Sequence, residues 1–456
     1  LSYPYLLGLA PDIASTPTDD GVELVNVAGS GLRVDVGALG VSRLLERLAK
    51  APGLADDLCD DDPQRLHYLL LRLGGRGLLS YTVAGQQWSA RLDPTSPRFA
   101  AGDDSVEGRY RLSRFACLRR LDDALAVECP LGHACVVLEG GPALAMIGLL
   151  AQPRSAEDLA AETGVGVDAA RGFLGLLVMA GSAFGCDAEG RLPEDRQDAL
   201  RQWEFHDLLF HARSRWGRRE QRGDTRFRFE GQIEGLPSLK PAMSEHRVTL
   251  PTPDEGAVGT FQALTDRRRS RRDLGDAPIT LAALGAFLHR SARMRQALTM
   301  PPEYGVHDGS LRPAASGGAT HGLELYLTVH RAVGLEPGFY HYAPNDHALE
   351  RLADLEGAPV GLLAMAANAT VADGPPDVLI TLAARFARYS WKYQGLAYAL
   401  VLKDAGALMQ QMYLAATDLG LRPCGVGSGD SDLFAQAAGT DYFAETSVAE
   451  FTLSGA

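Results

Sequence analysis

A chain of 456 residues exceeds one ordinary core and implies two or three domains. Hydrophobic residues at 46% and charged residues at 22% give the balance of a soluble globular protein, and no apolar run approaches the roughly 20 residues needed to span a bilayer. The formal charge of -13 argues against nonspecific nucleic-acid binding and against an anionic membrane surface as the main partner.

In the amino-terminal half, Val22–Val27 and Gly31–Val36 read as strands, followed by a helix carrying Leu44, Leu45 and Leu48. An acidic loop leads to a helix with Leu66, Leu69, Leu70 and Leu73, and Leu78–Val83 with Trp88–Leu92 read as a hairpin. The order then repeats. Ala124–Glu128 and Ala134–Leu138 are strand-like, and helices are expected over Leu144–Leu150, Ala156–Glu162 and Asp168–Ala180, with Gly181 as a C-cap. Two small hairpin-plus-helices units in tandem suggest winged-helix-like modules. Such a module binds DNA through a basic helix or a peptide as an added strand. Asp168–Ala180 has Arg171 as its one cation and is otherwise mostly apolar, so a core helix is expected there and DNA binding is not.

Ala199–Arg219 has a long helical pattern with Trp203, Phe205, Leu208, Leu209 and Phe210, and Pro-rich Leu236–Pro253 suggests an extended arm. Beyond it, Thr280 is a good N-cap for a helix with Leu281, Leu284, Phe287 and Leu288. Leu323–Val329, Gly338–Tyr342, Asp377–Leu382 and Val448–Leu453 are strand-like, and Leu396–Leu419 is a long helix ending at Gly420. The carboxy-terminal part is therefore α+β.

The six cysteines, Cys59, Cys117, Cys129, Cys135, Cys186 and Cys424, are scattered and fit reduced thiols in a cytoplasmic setting. The apolar start of the chain lacks a basic n-region and does not read as a signal peptide. Cys129, His133 and Cys135 have no fourth ligand at a recognisable spacing and run into a strand, so no metal is expected.

Four guanidinium groups surround one hydroxyl in Arg268-Arg269-Ser270-Arg271-Arg272, a local cationic site in an acidic protein. Arginine forks bind phosphate bidentately and serine adds a donor. The Gly-rich segment Arg312-Pro313-Ala314-Ala315-Ser316-Gly317-Gly318 follows, then Trp391-Lys392-Tyr393, then Pro423-Cys424-Gly425-Val426-Gly427-Ser428-Gly429. Glycine lets backbone amides approach a flat ring because it lacks Cβ. No Gly-x-Gly-x-x-Gly follows a first strand and no Walker sequence occurs, which removes the main signals for a dinucleotide fold and for ATP-driven chemistry.

The order of these motifs resembles the flavin-binding dehydrogenases of the nitroreductase superfamily. It resembles more narrowly the SagB-type azoline dehydrogenases of thiazole- and oxazole-modified peptide biosynthesis. The resemblance covers roughly residues 199–456 at motif level, and the first half only in architecture. It implies an α+β fold with a carboxy-terminal nitroreductase-like FMN domain over 251–456. Tandem winged-helix-like modules over 1–100 and 101–198 precede it, with a helical linker and extended arm over 199–250. It implies FMN as cofactor, held by Arg268, Arg269, Ser270 and Arg272 at the phosphate and by Ser316, Gly317, Gly318, Gly425, Val426 and Gly427 near the ring. Lys392 and Tyr393 are implied as the catalytic pair, since an ammonium beside a phenol favours the phenolate and a desolvated lysine can itself act as base. The helix carries Gln410-Gln411 where relatives often have Asn, so no amide there is assigned to the flavin. Asp404, in mid-helix, is expected to order a neighbouring backbone or arginine. His321 is read either as facing the flavin or as a packed strand histidine, and Tyr389, Trp391 and Tyr398 as a peptide wall or as core.

The expected function is oxidation of thiazoline or oxazoline rings in a ribosomally made peptide. The expected partners are a leader-bearing precursor, a cyclodehydratase and a second copy in a homodimer, with no nucleic acid and no membrane. The alternatives are an NAD(P)H-dependent nitro- or quinone reductase, disfavoured by the long amino-terminal half and by Lys392-Tyr393, and a noncatalytic peptide-binding scaffold on a flavin fold.

Overall fold

The computed structural model describes residues 5–11, 13–18, 21–25, 31–35, 41–54, 63–96, 98–102, 104–215, 217–218, 260–299, 308–372, 374–393 and 396–456. The arm expected over 236–253 lies outside the described residues.

In the amino-terminal half, six antiparallel strands lie in the order Leu6–Leu9, Leu79–Gly85, Trp88–Pro94, Ala134–Glu139, Ala124–Glu128 and Cys117–Leu121. Gly21–Val25 and Gly31–Asp35 belong instead to a separate three-stranded meander with Ala14–Thr18. The sheet crosses the expected boundary at residue 100, because Trp88–Pro94 pairs directly with Ala134–Glu139. One hydrophobic core runs beneath it, from Tyr5 and Leu7 through Trp88 and Val136 to Phe173 and Ala183.

The helix Val167–Met179 buries Phe173, Leu174, Leu176 and Leu177 in that core, and Arg171 is paired with Glu157 and Asp168. The preceding helix, Ala156–Thr163, opens on a capping box between Ser155 and Asp158. Gly181 turns the chain after Val167–Met179 with φ 65°.

The long helix expected over 199–219 is broken into Asp198–Arg201 and Phe205–Ser214. Arg114 donates to the carbonyls of Leu200 at 2.7 Å and Trp203 at 3.1 Å, so a distant guanidinium takes acceptors that a continuous helix would have used.

The carboxy-terminal part is built on an antiparallel sheet in the order Ala348–Ala353, Gly338–Ala343, Leu323–Val329, Val378–Arg385, Glu445–Ser454 and Arg422–Val426. Period-2 alternation makes both faces apolar. Leu325, Leu327, Ile380, Leu382 and Phe451 face the helices Leu281–Ser291 and Ala397–Asp418. Tyr326, Phe339, Leu379 and Ala383 face Ala358–Thr370 and Ser431–Ala438. Thr280 caps its helix, its side chain accepting from the Ala283 N–H, and Gly420 follows the long helix with φ 71°.

The two parts are joined through buried charge. Arg215 is 4% exposed and pairs with Glu450, which is 1% exposed, while its other donors reach Ser431 Oγ, Ser447 Oγ and the Val448 carbonyl. Removing one partner of such a pair strands the other charge. Arg215→Ala is expected to cost about 3–5 kcal/mol in urea unfolding. A loss of only about 0–1 kcal/mol, as for an exposed pair, would show that water reaches Glu450.

Candidate active site

The arginine run follows the helix Thr260–Arg267 and lies against the edge strand Arg422–Val426. Arg271 N–H donates to the Pro423 carbonyl at 2.7 Å. Tyr413, on the long helix, organises the rest. Its hydroxyl accepts the Gly425 N–H at 2.6 Å, lies 2.8 Å from Ser270 Oγ, and its ring sits 5.3 Å from the Arg268 guanidinium. A Cβ on Gly425 would stand 2.6 Å from Met409 Cε, so a larger residue there would have to push that side chain aside. Arg271 is neutralised by Asp273, which also pairs with Arg422. Arg268, Arg269 and Arg272 make no ion pair among the described residues. Burial pushes the Cys424 thiol up, and the Arg272 charge opposes this, which marks how near that guanidinium lies. Val426 is buried in the strand and can reach a ligand only by its backbone, whereas Gly427 borders open space.

Ser316, Gly317 and Gly318 gather elsewhere, around Asp404. Asp404 Oδ1 accepts the Gly317 N–H at 3.0 Å, and Oδ2 accepts the hydroxyls of Ser316 at 2.5 Å and Tyr389 at 2.8 Å. Ser316 Oγ in turn accepts the His321 N–H at 2.9 Å. The side-chain donor of Ser316 and the amide of Gly317 are therefore spent within the chain, and Gly318 N–H has no partner among the described residues. Gly318 has φ 62°, and a Cβ there would lie 2.4 Å from Tyr393 OH and 2.9 Å from Lys392 Nζ. The Ser-Gly-Gly and Lys-Tyr motifs, more than seventy residues apart in sequence, thus touch. Lys392 Nζ also lies 5.3 Å from the Tyr393 ring centroid.

Behind this loop is a small pocket, partly open to solvent and lined by Arg312, Ser316, His321, Glu324, Tyr389 and Asp404 among others. Burial and then Arg312 push His321 down to about 4, so it is neutral near pH 7. Burial would raise Glu324, yet His341 and Arg312 hold it below the usual carboxylate value. Tyr389 and Tyr398 are core residues, while Trp391 is 65% exposed beside the Lys-Tyr pair. Gln411 donates to the Arg290 carbonyl and Gln410 is exposed. Asp404 orders a backbone, as expected, through the Gly317 N–H, while its bonds to the Ser316 and Tyr389 hydroxyls and the contacts of Tyr413 were not foreseen. The available signal was Asp404, a carboxylate flanking the apolar stripe of Val401, Ala405 and Leu408.

Within one chain the two clusters do not meet. Asp404 and Tyr413 are nine residues apart on one helix, about two and a half turns and about 14 Å of rise, so they occupy opposite flanks. Leu400, against which Gly317 packs, and Met409, against which Gly425 packs, are related in the same way. Among the described residues no group of three or more His, Cys, Asp or Glu is placed to hold a metal, and no helix is long and apolar enough to cross a membrane. The five described cysteines are free, and Cys59 lies outside the described residues.

These features fit FMN: three guanidinium groups without an ion pair among the described residues beside a serine, a glycine at Gly425 whose N–H is held by Tyr413, and a left-handed Gly318 whose N–H has no partner among the described residues. The chain matches the family model for cyanobactin oxidase ThcOx over residues 110–220 and that for the nitroreductase family over 265–450. It is 32% identical over 163 residues to MJ1384 of Methanocaldococcus jannaschii, a protein named as a nitroreductase, covering 36% of this chain and 75% of the relative. Partial structural overlaps include a nitroreductase of Ralstonia eutropha, with 21% identity, 48% of this chain and 95% of that one covered, and a TM-score of 0.33. The Escherichia coli microcin synthetase McbBCD complex with truncated pro-MccB17 overlaps at 17% identity, 59% and 99% coverage and a TM-score of 0.36. A Desulfovibrio desulfuricans nitroreductase in complex with FMN overlaps at 16% identity, 43% and 86% coverage and a TM-score of 0.26. With its motif-bearing part matched by the family model and by a relative covered over 75% of its length, the chain belongs to the nitroreductase family, whose members typically bind FMN.

Proposed function

We propose that this protein is an FMN-dependent dehydrogenase that oxidises thiazoline or oxazoline rings in a ribosomally made peptide to thiazole or oxazole. The observation that carries the reading is the contact of Lys392 Nζ and Tyr393 OH with Gly318, which sets a proton-handling pair beside the loop expected to face the flavin. A match to the cyanobactin oxidase model ahead of the flavin domain supports the same reading.

Arg268, Arg269, Ser270 and Arg272 hold the phosphate, and backbone groups of Gly425, Val426 and Gly427 and of the Ser316–Gly318 loop lie near the ring. In that loop Gly318 supplies the donor, and Ser316 and Gly317 act through Asp404. FMN supplies the acceptor for the hydride that leaves the azoline ring. Lys392 and Tyr393 take the acidic proton from the ring Cα, which lies beside both a carbonyl and an imine. The proton is taken either by a phenolate beside the ammonium or by a neutral amine beside the phenol, and then passes to solvent.

The separation of the two clusters supports a two-fold dimer in which the arginine run of one copy faces the Gly318–Lys392 cluster of the other. Leu396, Ala399, Lys403, Gly406 and Gln410 form an exposed stripe along the long helix that suits an isologous contact. The amino-terminal half binds the precursor's leader or a cyclodehydratase. Its sheet ends in Cys117–Leu121, an edge able to accept an added strand. The setting is cytoplasmic, where thiols stay reduced.

Lys392→Ala and Tyr393→Phe are expected to stay folded and yellow yet lose about 10²–10⁴-fold in azole formation from a preformed azoline peptide. Wild-type turnover in both variants would refute the assignment. NAD(P)H-driven nitroarene reduction by the parent protein, without azoline oxidation, would support a reductase instead.

Arg268→Ala with Arg272→Ala removes two charge-assisted contacts, each worth about 1.5–3 kcal/mol. The double variant should purify largely without flavin absorbance, and full flavin content would sink the phosphate assignment.

Co-expressing that double variant with Lys392→Ala tests the shared site. Mixed dimers should regain activity, because one of their two sites combines an intact arginine run with an intact Lys-Tyr pair. Failure to complement in dimers that sedimentation proves to be mixed would place each site within a single chain.

A further inference from the structure

We propose that Asp404 is a positioning residue that locks the Ser316–Gly318 loop and the Lys392–Tyr393 pair into one arrangement. The inference rests on the flavin reading above and extends it to a residue that touches neither cofactor nor substrate.

Asp404 is 6% exposed and saturated, with one N–H and two hydroxyls donating to its two oxygens. A carboxylate so enclosed is unsuited to exchange protons with a substrate. Its three donors come from two different places. Ser316 and Gly317 belong to the loop, whereas Tyr389 belongs to the short helix Phe386–Ser390, which runs directly into the Lys-Tyr pair.

Tyr389 carries the link onward. Its hydroxyl binds Asp404, and its carbonyl accepts the N–H of Lys392 at 3.1 Å and of Tyr393 at 2.8 Å. Burial, together with the Asp404 charge, pushes the Tyr389 phenol far above its ordinary value, so it remains a donor throughout the working pH range. Ser316 extends the other arm, because its hydroxyl also accepts the His321 N–H and closes the loop on itself. The loop and pair then meet again at Gly318, whose left-handed φ of 62° and close approach to Tyr393 OH and Lys392 Nζ would make any added carbon displace them. Asp404, Tyr389 and Gly318 therefore form a closed circuit of contacts. Within it, the orientation of the unused Gly318 N–H and the reach of Lys392 and Tyr393 cannot change independently.

Tyr413 plays the matching part on the other flank, binding Ser270 and Gly425. Loss of Asp404 should therefore loosen one cluster and spare the other, which a general loss of stability would not do.

The test is hydrogen exchange on the flavin-free full-length protein, followed by measurements on the flavin-loaded form. In Asp404→Ala, exchange should quicken about 10–100-fold in both 316–321 and 386–393, the factor set by lost buried charge-assisted bonds, while 268–272 and 422–427 stay as in the parent. Ser316→Ala should loosen mainly the loop and Tyr389→Phe mainly the pair. Those two variants, with Asp404→Asn, serve if Asp404→Ala does not fold. With FMN bound, the visible circular dichroism of the flavin should change while its content does not. The kcat per bound flavin should fall with KM little altered, and Asp404→Ala should cost less in a Lys392→Ala background than in the parent. Equal quickening of all four segments, or no change in the first two, would overturn the proposal, as would an unchanged kcat per flavin in an active enzyme. A parent protein inactive on azolines would instead sink the functional reading and leave the exchange result standing.

Discussion

Burial of one face of the helix Ala397–Asp418 sets where the polar clusters on its two flanks stand. Val401, Ala405, Leu408 and Met412 bed onto the antiparallel sheet, and burying a large apolar side chain contributes about 1.5–3 kcal/mol each. That packing sets the rotation of the helix about its own axis. Once it is set, Leu400 and Asp404 must emerge on one flank and Met409 and Tyr413 on the other. The arginine-run cluster and the Gly318–Lys392 cluster, the two halves of the proposed site, inherit their separation from this rotation. A change of core packing that turned the helix would displace both halves at once.

The polar groups at the two flanks answer to the same rule by different chemistry. On the Tyr413 flank, a neutral phenol bridges Ser270 and Gly425 and leaves Arg268, Arg269 and Arg272 without ion pairs among the described residues. Cations left unpaired at the surface of an acidic chain are poised for an anion, and arginine is the residue whose fork matches phosphate. On the Asp404 flank a nearly buried charge would be costly without donors, and three are supplied. Positive charge is left available on the Tyr413 flank, and negative charge is consumed on the Asp404 flank.

Much of this was legible because it is local. Period-2 runs gave the strands from Leu323 to Leu453, Thr280 and Gly420 gave helix ends, and the arginine run, Ser316-Gly317-Gly318 and Lys392-Tyr393 stood out as short motifs. What escaped the sequence depends on contacts between distant residues. The pairing of Trp88–Pro94 with Ala134–Glu139, which merges two repeat units under one sheet, has no mark in either strand. The break in the helix after Arg201 is made by Arg114, more than eighty residues earlier. Ser316 bonds to a carboxylate 88 residues on, and Ser270 to a phenol 143 residues on, so neither partner could be named from spacing.

The amino-terminal half is tied to the flavin domain at a telling place. Arg98 pairs with Asp430 at 3.1 Å, and Asp430 caps the helix Ser431–Ala438 through the Leu433 N–H. Arg218 lies 3.9 Å from the Tyr442 ring centroid, pairs with Asp432 and donates to the Pro130 carbonyl. Both acidic residues begin the turn that follows Gly425–Gly429. Half-buried pairs of this kind add modest stability but considerable orientation, because an arginine fork accepts few geometries. The amino-terminal half and the start of the helix Ser431–Ala438 are thus joined by ion pairs as well as by the chain between them. On the proposed function, a peptide strand added at the edge Cys117–Leu121 would be tethered to the domain that carries the arginine run. The length of chain between its bound segment and its reacting ring would then decide which rings can reach the site.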